Sequence, residues 1–240
     1  SSVLSMNGVL NVASIDSYSR MGVDGSGMVS ELFRSLGYRG VGIFPSGYFF
    51  RNSIPQYDDY TPKSTMPSSQ LLLLGAGMGQ FRFDLGQTID HEAYIRAKRE
   101  VFVAPSETPL FVYTHSDHPN HSQNSGACLP NETELFVERL HEANEEMRQD
   151  IATITINDPD AIVIVAGDHG PYLTKNCYSL GNIYDTEEIT RIDIQDRYGT
   201  FLAARWPVGE QGYDQITVLQ DIFPAIFAWM YRDPALLEIK

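Results

Sequence analysis

Residues 160–171 read Asp-Ala-Ile-Val-Ile-Val-Ala-Gly-Asp-His-Gly-Pro, and no other stretch constrains the fold as strongly. An apolar run rich in β-branched residues stops abruptly on a carboxylate, an imidazole and a glycine. The run is too short for a typical helix and follows a turn signal, Asp158-Pro159-Asp160. It is therefore expected to form a fully buried strand, parallel to its neighbours. Open α/β sheets bind ligands just beyond the carboxyl ends of their strands, and Asp168 and His169 fall there. A carboxylate oxygen and a neutral imidazole are both good ligands for Zn²⁺ or Mn²⁺. The plainer alternative is a capping Asp and a loop His at a strand end.

A second strand of the same kind lies upstream. Leu110-Phe111-Val112-Tyr113-Thr114 ends in His115, and the next segment, Ser116-Asp117-His118-Pro119-Asn120-His121, is dense in ligand-type side chains. Asn131 can cap a helix, with Glu134 three residues on as in a capping box. Phe136, Leu140, Ala143, Met147, Ile151 and Ile154 then recur at steps of three or four, the pattern of a long amphipathic helix. Residues 110–167 thus read as a strand-helix-strand unit, parallel and right-handed. Two neighbouring strands then end in histidines, a better candidate site than either alone.

The remaining elements complete an α/β pattern. Ser1 or Ser2 can cap an N-terminal helix carrying Val3, Met6 and Leu10. Met28, Leu32, Phe33 and Leu36 form an apolar helical stripe closed by Gly37. Val41 to Phe44 is a short strand, and Asp90 opens a helix through about residue 102. Residues 45–88 are irregular, with a buried run at Leu71 to Leu74. Gly75, Gly77 and Gly79 make no phosphate loop, because no Gly-Lys-Ser/Thr follows. Residues 199–204 form a late strand, and a final helix from about Thr217 contains Pro224, which should kink it. With no internal repeat or low-complexity linker, residues 1–240 are assigned to a single domain.

Charge and cysteine content narrow the partners. A formal net charge of -14 argues against a nucleic-acid or anionic-membrane surface. It suits an anionic substrate only if a metal or local basic groups reverse the field at the site. No run of apolar residues is long enough to span a membrane, and no signal peptide is visible. Cys128 and Cys177 each lie a few residues past a His-containing strand end, so both fall on one rim of the sheet. Either they pair as a disulfide in an oxidising compartment or they are two free thiols.

Val163 to Pro171 resembles the second metal-ligand motif of the alkaline phosphatase and sulfatase superfamily. The nearest branch is the sulfatase-like one that includes lipoteichoic-acid synthases and phosphoglycerol and phosphoethanolamine transferases. Phe111 to His115 is similar to that family's strand ending in a substrate-binding histidine. Asp196 to Ala204 resembles the late strand after the metal motif, and Leu219 to Ile226 the family's Asp-hydrophobic-Phe-Pro helix. These pieces cover roughly residues 110–230. Ser2-Val3-Leu4-Ser5 with Leu10-Asn11 fits the spacing around the family's nucleophile, which would put Ser2 in that role at a helix N-terminus that favours an oxyanion. An ordinary capping serine is the other possibility for that position.

The resemblance implies an alkaline phosphatase-like fold, a mostly parallel central sheet with helices on both faces. It implies one or two divalent ions (Zn, Mn or Mg) held by Asp168 and His169, and His115 as a catalytic group on a non-bridging oxygen or the leaving group. His118 and His121 would assist in substrate binding. The implied activity is phosphotransfer or phosphodiester hydrolysis on envelope lipids or glycans, extracytoplasmic and membrane-anchored through a segment outside this sequence. The family's first acidic ligand lies upstream of the nucleophile, and this chain starts too late to include it. The chain is thus expected to be truncated at its N-terminus, or else to be an inactive relative that binds a glycan or protein. Cys128-Leu129-Pro130-Asn131-Glu132 has Glu where an oxidised-cysteine sulfatase needs Arg, which leaves Cys128 to a disulfide with Cys177.

Overall fold

The computed structural model describes residues 22–47, 55–63, 88–122, 128–177, 186–213 and 216–238. The chain forms two compact units, one from residues 1–115 and 212–240 and the other from 116–211. The expected helix at Ser1 to Asn11 and the run at Leu71 to Leu74 fall outside the described residues.

The first unit is an α/β layer built on a three-stranded parallel sheet. Its strands are β1 (Arg39–Ile43), β2 (Asp59–Thr61) and β3 (Leu110–Thr114), in the order β2-β1-β3. Alternation along the strands sorts their side chains. Val41, Ile43 and Val112 share one face and pack against α2 (His91–Val103), whose Tyr94 is fully buried there. Phe111 faces the other way and stacks on Phe33 of α1 (Met28–Ser35), with ring centres 4.5 Å apart. Phe223 and Phe227 of α5 (Ile222–Tyr231) complete that aromatic cluster at 6.2 and 5.3 Å from Phe33. Helices therefore cover both faces of this small sheet.

Local signals act here as physics requires. Asp90 caps α2, its Oδ1 accepting from the Ala93 N–H at 2.7 Å. At the end of α1 the Tyr38 N–H reaches Phe33 O and the Gly37 N–H reaches Arg34 O, both at 3.0 Å. This is a Schellman closure, with Gly37 at φ +84° and the Phe33 and Tyr38 rings in contact. Two expectations need correction. The buried face of α1 is Val29, Ser30 and Phe33, while Met28, Leu32 and Leu36 are exposed. Pro224 is not in the interior of α5 but in its first turn, where its missing N–H has no intrahelical partner to lose and no kink is required.

The second unit carries α3 (Glu132–Asn157), β4 (Val163–Ala166), α4 (Arg191–Tyr198) and β5 (Leu202–Arg205). The strand at 163–166 forms, but not as expected. It pairs antiparallel with β5, Val163 opposite Arg205 and Ala166 opposite Leu202, and its side chains are half-buried or exposed. Among the described residues β4 pairs with β5 alone, and the parallel strand-helix-strand unit expected over residues 110–167 is not among the sheets formed. Apolar patterning announces a strand but leaves its partner open. Here the partner is chosen by contacts at both ends of the hairpin-like pair. The Arg205 guanidinium donates to Ala161 O and Pro159 O at 2.9 and 3.0 Å, and the Gly167 N–H donates to Phe201 O at 2.9 Å. The capping box at Asn131 is also absent, since that side chain makes no cap bond; Glu132 instead accepts from the Leu129 N–H at 3.1 Å.

Cys128 and Cys177 are joined in a disulfide with Cα atoms 5.4 Å apart. A stable disulfide belongs to an oxidising, extracytoplasmic setting. No helix among the described residues is long and apolar enough to cross a membrane.

Candidate functional site

The loop after β4 is held in place by the end of α4. Asp196, nearly buried, receives the Leu173 N–H at 2.7 Å, the Thr174 N–H at 3.0 Å and the Thr174 hydroxyl at 2.8 Å. Its main-chain oxygen accepts from the Tyr172 N–H at 3.3 Å, and the Gly170 N–H donates to Arg197 O at 3.1 Å. The approach is so close that a Cβ on Gly170 would lie 2.0 Å from Asp196 O, and one on Gly167 would lie 2.8 Å from the Thr200 hydroxyl. The two glycines flanking Asp168 and His169 are thus what lets this loop lie on the 195–201 segment.

That clamp sets the geometry of the charged pair. His169 Nδ1 lies 2.9 Å from Gly170 O. A carbonyl only accepts, so Nδ1 carries a proton, and in the neutral tautomer this leaves the lone pair on Nε2. Nε2 stands 3.6 Å from Asp168 Oδ2. For neutral His169 these are two lone-pair donors facing one another, which cannot bond directly but suit a cation. Ligands of a tetrahedral Zn²⁺ at ordinary bond lengths sit about 3.3–3.5 Å apart. A metal-binding histidine typically donates its other N–H to a carbonyl, as His169 does. Asp168 and His169 therefore fit a divalent ion.

Tyr172 and His121 wall the pair. Tyr172 adopts φ +58°, a conformation costly for a bulky residue. Its N–H is held by Asp196, and its carbonyl accepts from the Ser122 hydroxyl. The ring then stacks on His169, with centres 4.7 Å apart and planes 9° apart. His121 lies 5.6 Å from His169 and 5.1 Å from Tyr172, centre to centre. Burial above all holds the His121 imidazole below its usual range; the neighbouring His169 acts in the same sense, Asp168 opposes it, and Arg139 adds the smallest share. Burial pushes the Tyr172 phenol up. The Arg197 guanidinium sits 5.8 Å from the Tyr172 ring centre.

No family model, curated protein or solved structure matches the chain.

Of the residues singled out in the sequence, the second unit brings Asp168, His169 and His121 together. His118 stands beside Asp117, Nδ1 to Oδ1 3.1 Å, and both are side chains capable of holding a metal ion. His115 belongs to the first unit, where it follows β3 and donates its N–H to Ile43 O at 3.0 Å. Ser2 lies outside the described residues. Two contributors escaped the sequence. Tyr172 directly follows the Asp-His-Gly-Pro segment, but nothing in its local pattern marks it as part of a site. Arg139 was hidden on the polar side of a helical pattern. His91, in the first unit, is also of metal-ligand type, yet its place after the Asp90 cap announced only a helix start.

Proposed function

We propose that this protein is a metal-dependent phosphotransferase or phosphodiesterase acting on phosphoesters of envelope lipids or glycans. The observation that carries this proposal is the approach of Asp168 Oδ2 and His169 Nε2, 3.6 Å apart, with His169 Nδ1 engaged by Gly170 O. The resemblance of Val163 to Pro171 to the sulfatase-like metal motif supports it, and the disulfide agrees with an extracytoplasmic setting. A bound divalent ion would supply Lewis acidity toward a phosphoryl oxygen and a lowered pKa for an attacking hydroxyl. Asp168 and His169 would hold it, and the stacked Tyr172 ring keeps His169 oriented. His121 faces the same place and is suited to hydrogen-bond an ester oxygen. The attacking hydroxyl is assigned to Ser2 by the resemblance alone.

The test is metal content by mass spectrometry together with turnover of an aryl phosphodiester, for wild type and Asp168→Ala. Wild type should retain an ion stoichiometrically, with affinity falling at least about tenfold in the variant and turnover lost. Wild type that retains no Zn, Mn or Mg overturns the enzyme assignment and favours a binding module on the same scaffold.

A further inference from the structure

The cluster in the second unit contains two polar atoms that nothing in the site yet explains. Arg139, on α3, donates from Nε to Pro119 O at 2.9 Å, which pins its guanidinium to the loop that carries His121. Its Nη2 is buried and has no hydrogen-bond partner among the described residues. His121 Nδ1 is in the same state. Buried polar atoms in native proteins are almost always satisfied, and an unpaired donor on a permanent charge is the more costly case. Arg139 makes no ion pair with a carboxylate among the described residues.

The two atoms belong to one neighbourhood. Pro119, whose carbonyl holds the Arg139 guanidinium, is two residues before His121 in the same loop. The His121 backbone is fixed by its N–H bond to Asn120 Oδ1 at 2.9 Å, Asn120 itself lying at φ 60°. Its ring in turn rests against His169 and Tyr172. A guanidinium presents a rigid fork of donors that matches the edge of a tetrahedral oxyanion, and it remains charged at any relevant pH. It also answers the electrostatic difficulty of a chain with net charge -14, because an anionic substrate needs a local cation beside the site.

We propose that Arg139 and His121 form an oxyanion-recognition subsite, in which Arg139 Nη2 and His121 Nδ1 bind the non-bridging oxygens of a phospho- or sulfoester. This rests on the proposed function and adds to it the residues that read the anion.

The test measures binding of inorganic phosphate and inorganic sulfate, by calorimetry, to the full chain with and without added Zn²⁺. Wild type is compared with Arg139→Met, Arg139→Lys, His121→Ala and Asp168→Ala, and circular dichroism checks each fold. Arg139→Met should weaken phosphate at least about tenfold, the equivalent of one lost charge-assisted contact, while ion content stays unchanged. Arg139→Lys should recover only part of the loss, since it keeps the charge but not the fork. His121→Ala leaves the Arg139–Pro119 tie intact and should also weaken phosphate, so it decides the matter if Arg139→Met does not fold. The ratio of phosphate to sulfate affinity tells which ester class the subsite takes. Unchanged phosphate affinity in both Arg139→Met and His121→Ala, or no binding of either anion to wild type, overturns the subsite. Loss of the ion in Asp168→Ala with unchanged anion binding in the Arg139 and His121 variants leaves the metal assignment standing alone. Wild type that binds anion through Arg139 but never holds an ion removes the metal assignment and keeps the subsite.

Discussion

At the residue scale, the site depends as much on absent atoms as on present ones. Gly167 and Gly170 bracket the Asp168-His169 pair, but they tolerate a methyl group differently. A Cβ on Gly167 meets the hydroxyl of Thr200, the end of a side chain that can turn at the expense of its hydrogen bond to Gly167 O. A Cβ on Gly170 meets the backbone carbonyl of Asp196, which is fixed inside α4. Gly170→Ala should therefore destabilise the protein by about 2–3 kcal/mol, and Gly167→Ala by less. Urea denaturation of the two variants checks the order. If Gly170→Ala proves the milder, the close approach of this loop to α4 is wrong.

At the element scale, α4 acts as an anchor that must itself be held. Its N-terminus has a reciprocal capping box: the Thr190 hydroxyl accepts from the Asp193 N–H at 3.3 Å, and Asp193 Oδ2 accepts from the Thr190 N–H at 2.9 Å. The Thr190 side chain, then the Thr190 backbone, lower the Asp193 carboxyl to about 2 from its ordinary 3.8. A carboxyl with a folded-state pKa below its unfolded one stabilises the fold above the unfolded value. That contribution fades as pH falls from 3.8 toward about 2. Asp193→Asn should accordingly lower the melting temperature at pH 6 and make little difference at pH 2. A penalty of the same size at both pH values would show that the carboxylate charge has no part in the cap.

At the scale of the whole molecule, the Cys128–Cys177 disulfide is the largest single constraint on the unfolded chain. It joins residues 49 apart in sequence, and closing a loop of that length is worth about 4 kcal/mol in the chain-entropy account. Cys177 is almost fully buried, so reductant should act slowly on the native protein and readily on the unfolded one. Paired Cys128→Ser and Cys177→Ser substitutions should lower the denaturant midpoint substantially. Reduction in mild urea should produce the same shift in the wild type, and an unchanged midpoint would remove the disulfide from the stability of the fold.

The sequence by itself determined the elements whose causes are local. The Asp90 cap, the Gly37 closure, a strand around 41–44, the strand at 110–114 and the long helix through Ile154 all follow from neighbours a few residues apart, their exact ends aside. So did the abrupt end of β4 on Asp168 and His169, the starting point of the site. Only the tertiary structure decided the rest. Which strand β4 pairs with, which face of α1 is buried, and how His121 and Tyr172 come to gather around His169 depend on residues far away in sequence. Apolar periodicity states that a face will be covered and carries no record of what covers it. Tyr172, Arg139 and Asp196 enter the site only because the chain folds back on itself, bringing the ends of α4 and β4 close enough for a single added methyl group to collide.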